Sequence, residues 1–170
     1  MAWYKASKNN INENDLNKIV KKTLKTHKFF SSLMDFYGIS SDDIDNHLTI
    51  KVKELDGKYA QGNGNEIHLN EKLFNENNLE ENFHYIVHEF FHWLKRRSED
   101  KFYFNDPEEV QSFVMAMAWE LIRGKTIQDI KRLFSPIVFK YFNNKGLAEK
   151  IFKRMLNQAL FVKKTYSKND

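Results

Sequence analysis

The stretch YIVHEFFHWL, residues 85–94, places His88 and His92 four positions apart, with Glu89 directly after the first histidine. On an α-helix, residues i and i+4 stack on one face, so two such imidazoles can turn a ring nitrogen toward the same ion. Glu89 lies about 100° further round the helix, beside an ion instead of on it. From there its carboxylate can accept the proton of a water that zinc has acidified. Phe90 and Phe91 fill the two variable positions and give the helix an apolar back. The competing reading is an ordinary amphipathic helix carrying two surface histidines and an unrelated glutamate.

Composition narrows the choice. The 170-residue chain has no cysteine, which excludes disulfides, thiolate zinc modules and cysteine nucleophiles and leaves His and carboxylates as ligand donors. The N-terminal MAWYKASKNN has no apolar leader, and no run approaches the roughly 20 apolar residues that span a bilayer. A cytoplasmic protein with no membrane contact is expected. A hydrophobic content of 41% with fifteen Phe supplies a core, and the length suits one domain over residues 1–165 with a basic tail at 166–170. The net charge is +4 with a pI near 9.1. The excess gathers in KRMLNQALFVKKTYSKND, residues 153–170, which reads as a solvated helix face and permits at most a weak nucleic-acid contact.

Periodicity organises the remainder. Leu16, Ile19, Val20, Phe29, Phe30, Leu33 and Phe36 predict one long helix over 13–37, with Gly38 as its stop. HLTIKVKEL (47–55) alternates, and the turn residues Asp56-Gly57 and GNGN (62–65) punctuate the chain before EIHLN (66–70). These predict a small antiparallel sheet of about three strands over 47–70. Phe83, Ile86, Val87, Phe90, Phe91 and Leu94 predict a helix from 79 to about 97, with the motif at its middle. In the next helix Asp106 suits the N-cap, Pro107 the first position and Gly124 the stop, so the two helices occupy 79–123. Thr126 with Asp129 opens the C-terminal helices (126–163), with Pro136 as a kink or restart. The expected class is α+β, a small sheet packed against a mainly helical domain.

A catalytic zinc usually has three protein ligands and one open position. His84, one turn before the motif, is badly placed for the same ion, because a helix turns about 40° and rises about 6 Å over each four residues. His68 reads as a strand side chain. Glu108 and Glu109 open the following helix, sixteen and seventeen residues after His92, and either carboxylate can complete a two-His, one-Glu set. Both also suit a helix N-terminus, and Glu109 could form a capping box with Asp106.

GKYAQGNGNEIHLN (57–70), then HEFFH (88–92), then a helix led by Glu with Phe four residues later, resembles the compact gluzincin-type zinc metallopeptidases. The similarity covers residues 47–123 and is to the ImmA/IrrE-like group, more distantly to SprT-like proteases. It implies His88, His92 and Glu109 as zinc ligands and Glu89 as general base, with Glu109 preferred because it stands four before Phe113. It further implies that EIHLN is an exposed edge strand that takes an extended peptide. Tyr85, Tyr103 and His84 are then candidates to steady the oxyanion. The activity so implied is that of a zinc-dependent endopeptidase (a hydrolase) acting on a protein or peptide substrate. The alternatives are a catalytically silent binding protein working through its helical C-terminal part, and a protease tethered to nucleic acid.

Overall fold

Asn12 starts the first helix: its Oδ1 accepts the N–H groups of Asn14 and Asp15, and α1 runs Glu13–Thr26. The long helix expected over 13–37 is in fact two. His27 is extended (φ −78°, ψ 127°), its Nδ1 accepts the Phe29 N–H, and α2 then runs Lys28–Tyr37. Leu24 and Phe29, both buried, are five apart, a step that no single face of a straight helix accommodates. Gly38, at φ 67°, ends α2 as expected.

The computed structural model describes residues 12–76, 79–98 and 106–167. Contacts group the chain into two compact units, residues 1–101 and 102–170. The first unit continues with α3 (Ser41–His47), β1 (Thr49–Lys53), β2 (Ala60–Asn63), β3 (Glu66–Asn70), α4 (Leu73–Glu76) and α5 (Leu79–Arg97). Helices thus accompany one small sheet, the α+β class expected. No helix among the described residues is long and apolar enough to cross a membrane.

The sheet is mixed, and the expected all-antiparallel meander is corrected. Its order is β1-β3-β2, with β1 parallel and β2 antiparallel to β3. The strand directions are those of a meander, but β3 enters between the other two. To reach the far side, residues 54–59 must cross about 10 Å, two strand spacings. Asn70, at the end of β3, holds that crossing: its Nδ2 donates to Leu55 O and Lys58 O at 2.7 and 2.6 Å. EIHLN is consequently the central strand, with Ile67, His68, Leu69 and Asn70 all buried, and not the exposed edge expected of it.

The sheet has two edges, and both meet helix side chains. Along β1, the Asn17 amide on α1 pairs with Ile50, donating to its C=O at 2.7 Å and accepting its N–H at 2.8 Å. Glu13 Oε1 accepts the Val52 N–H at 2.9 Å. Along β2 the partner is α5. The back of α5 is buried through Phe83, Ile86, Val87, Phe90, Phe91, Trp93 and Leu94. Phe30 of α2 meets Phe83 and Phe90 with ring centroids 6.0 Å apart, and Tyr37 meets Phe91 at 5.7 Å. These contacts fix which stripe of α5 is left for solvent: Tyr85, His88, Glu89, His92 and Arg96.

The second unit holds α6 (Glu108–Ile122), α7 (Ile127–Tyr141) and α8 (Lys145–Ser167). Every residue of α6 from Val110 to Leu121 is buried, in a helix that packs on α7 and α8. Thr126 and Asp129 form the expected capping box. The helix α7 continues through Pro136 without restarting. Asp106 does not cap α6. Pro107 occupies the N-cap position with no side-chain bond, and the Asp106 carboxylate instead takes the Arg154 guanidinium (3.0 Å) and the Gln158 amide (2.7 Å) of α8.

Candidate metal centre

The motif histidines are on the solvent stripe of α5, each half-buried. Their Nε2 atoms face one another at 3.3 Å, with ring centroids 5.0 Å apart. Two nitrogens at 2.0–2.1 Å from a tetrahedral ion lie about 3.3–3.4 Å apart, so the pair already has the spacing of two zinc ligands. Phe90 and Phe91, between them in sequence, are each 1% exposed and anchor the turn that carries both rings.

Glu89 points elsewhere. Its Oε2 accepts the Gly62 N–H of β2 at 2.8 Å, which holds the carboxylate beside the histidines as the 100° offset requires. Gly62 is glycine for a steric reason: a Cβ there would meet Glu89 Oε2 at 2.9 Å and Arg96 Nη2 at 3.2 Å. Arg96, one turn beyond His92, donates to Gly64 O at 3.1 Å. The sequence reads Gly62 only as a turn residue of GNGN, whereas Gly62 and Asn63 belong to β2 and the turn is Gly64-Asn65; it does not single out Arg96. The i, i+4, i+8 spacing of His88, His92 and Arg96 was a readable signal for the arginine, whereas the role of Gly62 depends on which strand meets the helix.

In the second unit Glu109 stands half-buried in the first turn of α6. Two imidazoles and one carboxylate form a donor set that suits zinc; in the first unit His88 and His92 supply the imidazoles, and Glu89 is engaged by Gly62 instead. Within its own unit, α6 is tied at this end to α8 through Asp106, and the Gln111 amide donates to Asp106 O.

The remaining candidates separate clearly. His84 and His68 are buried, and His68 Nε2 lies 2.6 Å from Glu66 Oε2, a bond that is the largest cause of the lowered Glu66 carboxyl pKa. Tyr85 is on the motif stripe, with its ring 5.0 Å from that of Tyr59. Burial first, then the neighbouring Tyr59, push its hydroxyl up to about 12, so it is a protonated donor at neutral pH. Tyr103 falls outside the described residues. No family model matches the chain, and neither a curated protein nor a solved structure matches it.

Proposed function

We propose that the protein is a zinc-dependent metallopeptidase that hydrolyses a protein or peptide substrate. The observation that carries this reading is the 3.3 Å separation of the His88 and His92 Nε2 atoms on the same stripe as a glutamate turned off the ligand position. His88, His92 and Glu109 would hold the ion. When bound, zinc supplies a Lewis acid and a water that ionises near neutral pH. Glu89, fixed by the Gly62 N–H, would be the group to accept a proton from the attacking water and hand it to the leaving amine. Tyr85 offers a neutral hydroxyl on the same stripe. The strand that faces the motif helix is β2, so the extended substrate lies along β2 in this reading, and not along EIHLN.

A second reading, a binding protein without catalysis, draws support from α8. There Lys150, Lys153, Arg154, Asn157, Gln158 and Phe161 line one groove, with Phe161 exposed among cations, a surface that could take an acidic protein or a nucleic acid.

Metal analysis and peptide hydrolysis of purified wild type, His88→Ala and Glu89→Gln decide between them. The metallopeptidase reading expects about one zinc per wild-type chain, loss of zinc in His88→Ala, and retained zinc with about 10²–10⁴-fold slower hydrolysis in Glu89→Gln. Wild type without bound zinc would exclude it. Zinc retained with no hydrolysis by wild type, against a broad peptide pool, favours the binding protein.

A further inference from the structure

The outward side of β2 can be read bond by bond. Asn70 donates to Tyr59 O at 2.8 Å, which makes 59 and 70 a hydrogen-bonded pair. Such pairs alternate along an antiparallel ladder, so Gly62, opposite Ile67, is a non-bonded position whose N–H and C=O point away from β3. The Gly62 N–H is the group that meets Glu89, and the Gly64 C=O is the group that meets Arg96. At the start of the strand, Tyr59 meets Tyr85.

Three contacts therefore register β2 along α5: Tyr59 with Tyr85, Gly62 with Glu89, and Gly64 with Arg96. From 85 to 96 a helix advances about 16 Å, and from 59 to 63 a strand advances about 13 Å before the chain turns at Gly64. Helix and strand keep step over a length that suits about five extended residues. The two histidines lie near the middle, two tyrosine rings at one end, and a guanidinium at the other.

The chemistry of Arg96 is clearest beside its neighbour. Arg97 donates to Asp43 Oδ1 at 3.0 Å and lies 5.3 Å from the Trp93 ring centre, so its charge is neutralised within the fold. Arg96 is exposed and bonds a backbone carbonyl. Among the described residues, no carboxylate lies at ion-pair distance from it. Its fork retains further donors suited to a carboxylate, and Gly62 keeps the space between Arg96 and Glu89 free of a side chain.

We infer that Arg96 is a specificity residue: the site takes an extended peptide carrying an Asp or Glu on the Arg96 side of the scissile bond, roughly two or three residues away. The opposite end, with the Tyr59 and Tyr85 rings, accepts an apolar or aromatic side chain. This rests on the metallopeptidase reading, which it deepens by naming a substrate class.

The test uses the full chain, zinc-loaded and metal-stripped, as wild type, Arg96→Ala, Arg96→Glu and Glu89→Gln. Cleavage of a mixed peptide pool, read by mass spectrometry, is expected to show Asp or Glu enriched on one side of the cut. That enrichment falls about tenfold in Arg96→Ala and turns to Lys or Arg in Arg96→Glu, with zinc content unchanged. Arg96 is exposed, so neither substitution threatens the fold. Cleavage by wild type with no acidic preference, or a preference that survives Arg96→Glu, overturns the inference. If wild type binds zinc and cleaves nothing, the peptidase reading fails on its own. Anisotropy then decides the role of Arg96, using two labelled pools identical except for Glu in place of Lys. Tighter binding of the Glu pool, lost in Arg96→Glu, supports it, and equal binding of the two pools overturns it.

Discussion

The two edges of the sheet both meet helix side chains on their outward backbone groups, and the two meetings are put to different use. At β1, side chains from α1 bond the strand backbone through the Asn17 amide and Glu13. At β2, side chains from α5 do so through Glu89 and Arg96. The β1 closure matches the Asn17 amide to the donor and acceptor of Ile50 and sets the Glu13 carboxylate on the Val52 N–H, with no imidazole beside either. The β2 closure uses two charged groups on one backbone N–H and one C=O, beside a pair of imidazoles. A helix laid along a strand edge can thus seal it or arm it, and the side chains at the contact decide which.

Gly62→Ala attacks this contrast hardest. The added methyl would lie 2.9 Å from Glu89 Oε2, so the carboxylate must move. On the metallopeptidase reading, hydrolysis is expected to fall about 100-fold with zinc retained, because displacing a general base by about 1 Å costs that much. Parallel zinc and rate measurements check it, and an unchanged rate would mean that the Gly62 bond does not position the glutamate.

Asn17→Ala is the corresponding change at the other edge. It removes both bonds to Ile50 and should lower stability by about 1–3 kcal/mol in urea unfolding, with metal content and rate per folded molecule unaffected. A loss of zinc in this variant would break the separation of the two edges.

The smallest expected effect concerns Arg97, the neutralised counterpart of Arg96. The Ser40 hydroxyl, then the Ser40 backbone N–H and Arg97, hold the Asp43 carboxyl down at about 2. A depressed carboxylate stabilises the fold above its unfolded value, near 3.9, and that contribution disappears as pH falls toward 2. Asp43→Asn should therefore flatten the pH dependence of stability between about pH 4 and pH 2, read by thermal melts, and leave the Arg96 preference intact.

The motif helix was legible because its apolar residues obey one period over Leu79–Arg97, and Thr126 with Asp129 was legible because a capping box is a local pair. The sheet was legible in content and not in order. Ala60, Gln61, Gly62 and Asn63 of β2 carry almost no hydrophobic signal, and strand order depends on how residues 54–59 cross, which Asn70 settles from a distance. The break at His27 escaped notice because histidine is not among the usual capping residues. Asp106 looked like a cap because its identity and position fit one, yet Arg154 and Gln158, distant in sequence, compete for its carboxylate. The pairing of Glu89 with Gly62 had the same cause: it exists only once β2 is known to be the strand beside α5.

The order β1-β3-β2 also sets a sequence of events for the folding chain. β2 and β3 are joined by the tight Gly64 turn and can pair as soon as both exist, within microseconds as hairpins do. β1 has no partner until β3 is in place, and its parallel pairing spans a longer loop that is slower to close. The half of the sheet that meets Glu89 is thus expected to form first, from local contacts, and the edge held by Asn17 to be completed after it.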